Sequence, residues 1–353
     1  METQGLMMVD ESKAELMANP KIWVVTGVAG FIGSNLAEAL LGLGQIVRGV
    51  DDFSTGKRAN LDSVRIAVGD SAWQRFTLVE GDITNASVCR EACEGVEVVL
   101  HQAAVVSVPR SFREPLLSVR TNILGFLNML MAARETRVQK FVYASSSSVY
   151  GDSPALPKIE DNIGRPLSPY ALGKYADEVL ANLLAGEDGF GTTGLRYFNV
   201  FGKRQNVDGE YAAVIPKFIK ALSSLRSPVI YGDGESTRDF CYIDNVVEAN
   251  ILAATSEKKN PTTQIYNIAV GESTSLNKLF EMLREILARE TKQPSILQVK
   301  PIYEALRPGD VRHSLADISS ARKHLEYEPK VRIREGLEKT VLWRLGLTNL
   351  ITR

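Results

Sequence analysis

An α/β fold built on a doubly wound parallel sheet, with a smaller α/β unit beside it, is what the sequence predicts. Three observations carry this. Short β-branched apolar runs alternate with stretches of helical periodicity up to residue 198, a glycine-rich turn joins the first run to the first helix, and the alternation loosens afterwards. Residues 21–26 (KIWVVT) are continuously apolar over most of their length, as in a parallel strand covered on both faces. Residues 31–43 carry helical spacing, and Gly44 ends them. A second buried strand, 46–50, runs into Asp51 and Asp52. Further strands are expected at 76–80, 96–101, 140–144 and 192–196, with helices at 86–93, 116–136 and 168–184. Such alternation implies right-handed crossovers and therefore a parallel sheet.

Residues 151–169 are proline-rich and read as an irregular loop at a strand end, where long loops serve function. Beyond 198 the sequence suggests a helix at 216–225, a strand at 229–231, a GDGEST turn, and a return of strand and helix over 240–255 and 264–269. Amphipathic helices follow at 275–289 and 318–325. The expected division is residues 1–198 with 239–269 for the sheet domain, and 199–238 with 270–353 for the smaller one.

Composition excludes more than it names. The 353 residues carry 41 Lys and Arg against 42 Asp and Glu, a net charge of −1. This balance gives no global attraction to nucleic acid or an anionic membrane. Three cysteines cannot build a disulfide framework, and Cys89 and Cys93 are spaced for one helical face. The three histidines show no zinc-ligand spacing. His101 reads as a packed residue and Cys241 as a small buried one. The N-terminal stretch is acidic, with no apolar run of signal-peptide type, and no uninterrupted stretch approaches the ~20 apolar residues of a membrane span. A cytoplasmic enzyme without a metal is the expectation.

Gly27, Gly30 and Gly33 form G-x-x-G-x-x-G between the first strand and its helix. Glycine permits the tight turn and lets backbone N–H groups and the helix N-terminus approach a pyrophosphate, so the predicted unit is a Rossmann-like dinucleotide site. A carboxylate at Asp51 suits the two ribose hydroxyls and repels a 2′-phosphate, favouring NAD over NADP, while Lys57 and Arg58 nearby carry the opposite charge. Asp52 reads equally as a ligand or a loop acid. Asp82 reads either as a contact to the adenine edge or as a turn acid. Phe31, Ile32, Ser54, Thr55, Gly56, Ile83, Gln102, Ala103 and Ala104 complete the expected cofactor contacts.

A second constellation lies downstream. YASSSSVYG (143–151) brings four serines to the carboxyl end of a parallel strand, where such sheets bind ligand. SPYALGK (168–174) places Tyr170 and Lys174 one helical turn apart on one face. For Tyr170 to act as a base near neutral pH its pKa must fall about three units from about 10, a cost of roughly 4 kcal/mol. A lysine one turn away and an oxidised nicotinamide supply positive field of that kind, and a serine hydroxyl relays the proton.

The set TGVAGFIG, HQAA, SSSSVYG, YALGK and RYFNVFG resembles the extended short-chain dehydrogenase/reductase family over nearly the whole chain. SVPRS, GDGESTRDFCYI and RPGDVRHSLADIS are similar to bacterial UDP-N-acetylglucosamine 4-epimerases of surface-polysaccharide synthesis. The resemblance implies catalysis by Ser146, Tyr170 and Lys174, with the serine register open by one. It implies tightly held NAD in the sheet domain and a UDP-sugar in the smaller one. Family dehydratases and decarboxylases place carboxylates just before V-Y-G; Ser147 and Ser148 stand there, which disfavours elimination. The residues alone equally allow a dehydrogenase.

The resemblance also implies that Asn199 meets the diphosphate, that Val214, Ile215 and Tyr231 shape the uracil pocket, and that Arg238, Arg307 and Asp310 hold phosphate and ribose. Ser107, Arg110, Ser147 and Ser148 are implied near the sugar. Ser314 stands where a bulky tyrosine limits some relatives to plain hexoses, so a serine leaves room for an N-acetyl group; the other reading is an ordinary strand residue. A UDP-glucose or UDP-uronate 4-epimerase is the alternative. Residues 116–136 carry more apolar side chains than one narrow stripe and read either as a surface helix of a dimer interface or as a fully covered internal helix; relatives pair two such helices into a four-helix interface, which implies a homodimer.

Overall fold

The computed structural model describes residues 13–185, 190–207, 213–256, 264–306 and 311–347. Seven parallel strands form the central sheet: β1 (Ile22–Thr26), β2 (Ile46–Asp51), β3 (Phe76–Glu80), β4 (Val98–His101), β5 (Lys140–Ser146), β6 (Thr192–Tyr197) and, returning late in the chain, Gln264–Ile268. Their spatial order is 3-2-1-4-5-6 with the late strand beside β6, the doubly wound order whose switch point lies between β1 and β4. Trp23, Val25 and Val47 are fully buried, as the continuous apolar runs required.

Helices cover both faces. On one side α1 (Phe31–Gly42) and Ile243–Thr255 pack into a core shared with the smaller unit. On the other, α3 (Ala86–Cys93) packs against the second half of the helix at Pro115–Glu135 through Cys89, Ala92, Phe126, Met129 and Leu130. In chain order α2 (Arg58–Trp73) joins β2 to β3, and α4 (Val108–Arg113) follows β4. The polar helix α2 has no counterpart in the sequence reading. It buries only Leu61 and Val64 and breaks at Gly69, where φ is 79°, so it shows little apolar periodicity.

Helix α5 runs over Pro115–Glu135 with a π turn at Arg120–Gly125. Length and composition would let it cross a membrane, but Phe126, Met129, Leu130 and Ala133 are buried against the sheet face. The face that the sequence assigned to residues 116–136 therefore narrows to the first half, where Leu116, Leu117 and Val119 are exposed.

Helix α6 (Pro169–Leu184) starts at a Ser168 cap, whose side chain accepts from the Ala171 amide at 3.1 Å, with proline in the first turn. One buried ion pair holds it to the sheet. Arg196 of β6 grips Glu178 with two hydrogen bonds of 2.8 Å, and Ser145 of β5 donates to the same carboxylate at 2.5 Å. Both charged side chains are 3% exposed. Removing one partner strands the other in a dry interior. Glu178→Gln is therefore expected to lower unfolding free energy by about 3 kcal/mol, measured by urea denaturation.

Candidate active site

The glycine turn is built for close approach. Gly27 adopts φ of 64°, and a Cβ on it would stand 2.9 Å from the Ala103 Cα. A Cβ on Gly33 would stand 2.1 Å from the Gly27 carbonyl oxygen. No side chain caps α1 and its first turn carries no acid, so the amides at Phe31 and Ile32 face the turn without a protein anion. A pyrophosphate fits this cradle.

Asp51 closes β2 at 7% exposure and accepts the amides of Ala29 at 2.8 Å and Phe53 at 2.9 Å. Burial raises its carboxyl above the ordinary value, against the pull of these amides. A Cβ on Gly56 would stand 2.6 Å from Asp51 Oδ1, so this loop, with Ser54 and Thr55, wraps the acid. Asp52 is spent on the Ser54 amide and hydroxyl, at 2.9 and 2.7 Å. The two nearby bases are exposed and make surface contacts. Lys57 donates to Asn206 at 3.0 Å, and Arg58 pairs with Glu80 at 2.7 Å. Asp82 accepts the Thr84 amide at 2.8 Å, and Ile83 is buried over Gly125.

At the end of β4 one hydroxyl organises the chain. Thr26 Oγ1 accepts the amides of Gln102 and Ala103, each at 3.0 Å, and lies 3.0 Å from His101 Nδ1. With both lone pairs taken, the hydroxyl donates to Nδ1, which makes His101 a neutral imidazole protonated at Nε2. Burial, and then the Lys174 charge, push its pKa down to about 3. The packed reading of His101 agrees with this. Gln102 continues into Asn250 and Tyr197, and Ala104 precedes Val105, whose amide and carbonyl are both held by Asn122 at 2.7 and 3.1 Å. Asn122 sits in the π turn and carried no signal in the sequence beyond its own amide group.

The serines separate by role. Ser145 is buried and bound to Glu178, which takes it out of any relay. Ser146 ends β5 half-buried and accepts from the Ser148 amide at 3.2 Å and hydroxyl at 2.9 Å. Ser147 opens a short 3-10 turn, Ser147–Tyr150, against which α6 packs. Tyr170 is half-buried in the first turn of α6, and Lys174 one turn later is 2% exposed. Strand register brings these ends together, since His101 pairs with Tyr143 and Ser146 with Tyr197.

Residues expected to bind the UDP-sugar are placed as follows. Asn199, at φ of 35°, donates to the Asp239 carbonyl at 3.1 Å. The Asp239 side chain is fully buried and accepts the amides of Val270, Gly271 and Ala316, tying two distant segments to one acid. Arg238 donates to the Thr237 carbonyl at 2.8 Å. Ser314 is half-buried and lies outside the strands; its amide donates to the Thr237 carbonyl at 3.1 Å, so its backbone lies beside Arg238. Val214 opens the helix Val214–Ser223, and Tyr231 ends the strand Val229–Tyr231. Ser107 caps α4 through the Arg110 amide at 3.2 Å, and the Arg110 guanidinium is bound to Glu114. Arg307 and Asp310 lie outside the described residues.

Comparison with known proteins agrees with this geometry. The NAD dependent epimerase/dehydratase family matches residues 23–269. The chain belongs to that family. A UDP-glucose 4-epimerase from Mycolicibacterium smegmatis is 37% identical over 90% of this chain and 96% of its own length. A UDP-N-acetylglucosamine 4-epimerase from Methanobrevibacter ruminantium, solved with UDP-N-acetylmuramic acid, superposes with a TM-score of 0.83 at 37% identity, covering 93% of this chain and 99% of that one. A UDP-glucuronic acid 4-epimerase from Bacillus cereus, solved with UDP-glucuronic acid and NAD, gives 0.77 at 30% identity, covering 94% and 99%. The protein is thus an NAD-dependent enzyme of the nucleotide-sugar 4-epimerase kind, and among the described residues no cluster suits a metal.

The neutral, buried His101 has a consequence for acid stability. Its folded pKa is depressed, so between about pH 6.5 and pH 3 the unfolded chain binds a proton that the folded one refuses. Stability present above that window falls as pH drops through it. His101→Gln, which keeps an acceptor for Thr26, is expected to remove up to about 1.4 kcal/mol per pH unit of that acid slope, measured by denaturation at several pH values.

Proposed function

We propose that the protein interconverts UDP-N-acetylglucosamine and UDP-N-acetylgalactosamine in the cytoplasm through a transient 4-keto sugar. The chemistry a bound NAD would supply is reversible hydride transfer at carbon 4. Gly27, Gly30, Gly33 and the first-turn amides of α1 would hold its pyrophosphate, and Asp51 its adenosine ribose. In this reading Tyr170 removes the 4-hydroxyl proton, Ser146 relays it, and Lys174 supplies positive field that favours the phenolate. The proton returns once the sugar has turned its other face to the cofactor. Asn199, Tyr231, Val214 and Arg238, with Arg307 and Asp310, bind the UDP portion, and Ser107, Ser147 and Ser148 line the sugar.

The observation that carries the choice of an acetylated sugar is the small side chain of Ser314 beside Arg238. Absence of a carboxylate at Ser147 and Ser148 supports epimerisation over elimination. The test is turnover of UDP-N-acetylglucosamine, UDP-glucose and UDP-glucuronic acid by purified protein without added NAD. Acetylated substrate should be converted, and Ser314→Tyr should lower its kcat/KM at least tenfold, about 1.4 kcal/mol, with UDP-glucose little affected. Turnover of UDP-glucuronic acid alone would replace this reading with the uronate one.

We further propose a homodimer through the exposed apolar face of α5 and α6. Leu116, Leu117 and Val119 lie on one helix, Leu172, Val179 and Leu183 on the other, and the two helices pack side by side. A second copy of the same pair would cover both stripes. Leu116→Glu should convert dimer to monomer in sedimentation velocity.

A further inference from the structure

The inner side of α6 holds an acid that the mechanism above does not use. Asp177 follows Lys174 by three residues, is fully buried, and accepts from the Lys174 ammonium at 3.2 Å. Its other oxygen, Oδ1, is buried without a hydrogen-bond partner. The adjacent Glu178 differs, since Arg196 and Ser145 satisfy it. A half-satisfied buried carboxylate is costly for the fold, which directs the question to the lysine it holds. Lys174 is 2% exposed, and a buried ammonium without a counter-ion sheds its proton easily.

We propose that Asp177 is a positioning residue for Lys174: it holds the ammonium in place and charged, and so sets the upper end of the pH range in which the Tyr170–Lys174 pair works. This rests on the reading of Tyr170 and Lys174 as the reactive pair. Three other titratable groups act on the two, Glu178 from α6, His101 from β4 and Tyr143 from β5, with Arg196 of β6 bound to Glu178. Glu178 and Arg196 neutralise each other. His101 stays neutral, and burial pushes the Tyr143 hydroxyl well above its usual range. Asp177 differs from these: burial, against the pull of Lys174, raises its carboxyl above the usual carboxylate range. Once ionised, this carboxylate stands 3.2 Å behind the lysine and opposes loss of the ammonium proton.

Asp177→Asn keeps the shape and one acceptor oxygen and removes the charge. The alkaline limb of its kcat profile should move down by about one pH unit, a tenfold loss of kcat above the limb, with KM for the UDP-sugar within twofold of wild type. A readout independent of turnover is the titration of Lys174 in protein labelled with 13C-lysine, its resonance identified by loss in Lys174→Ala. That titration should fall by at least one pH unit in Asp177→Asn. Should Asp177→Asn not fold, Asp177→Ser is expected to shift both in the same direction. An unchanged limb and an unchanged Lys174 titration overturn the inference. Lys174→Ala with wild-type turnover would instead overturn the reading of Lys174 on which it rests.

Discussion

The buried pair between Glu178 and Arg196 is the interaction on which the site depends. A helix and a sheet could pack through apolar contacts at several offsets. A carboxylate gripped by a two-pronged guanidinium has one good geometry, and in a dry interior every alternative leaves a charge exposed to hydrocarbon. The pair fixes α6 along β6, and Ser145 carries the same constraint to β5. Tyr170 and Lys174 therefore hold a set height relative to Ser146. The serine run is divided by this constraint, since its first member is buried and bound to Glu178 while the next three stay half-buried.

A second constraint governs the cofactor end. Helix α1 leaves β1 so tightly that Gly33 has no room for a side chain against the Gly27 carbonyl. This aims an uncapped helix N-terminus at the point where strand order reverses. Thr26, at the same point, uses all its hydrogen-bonding capacity to seat residues 101–103. Neutrality of His101 follows from that arrangement. Charge in the site is then confined to a few groups, and affinity for a doubly phosphorylated ligand is local, as a net charge of −1 requires.

Much of this was legible in the residues. The strands announced themselves through unbroken apolar runs, and G-x-x-G-x-x-G and Tyr-x-x-x-Lys reported local chemistry because turns and helix faces are set by near neighbours. Helix α2 escaped because its surface is polar on nearly every side. The half-covered state of α5 escaped as well, since which part of an apolar helix meets the sheet is decided by the π turn and by α3. Asn122, Asp239 and Asp177 gave no signal, because a polar residue does not reveal in sequence whether it faces water or a distant backbone.

The sequence by itself determined the doubly wound sheet, the glycine turn and the placing of Tyr170 and Lys174 one turn apart on one helix, since each depends on periodicity or on spacings within a few residues; its motifs carried the likeness to the family. Only the tertiary structure decided which serine is bound to the fold, that Lys57 and Arg58 make surface contacts, that His101 is neutral, and that Lys174 rests on Asp177. These depend on contacts between segments far apart in the chain, and on burial, which alone turns an ordinary carboxylate into a group able to control its neighbour's proton.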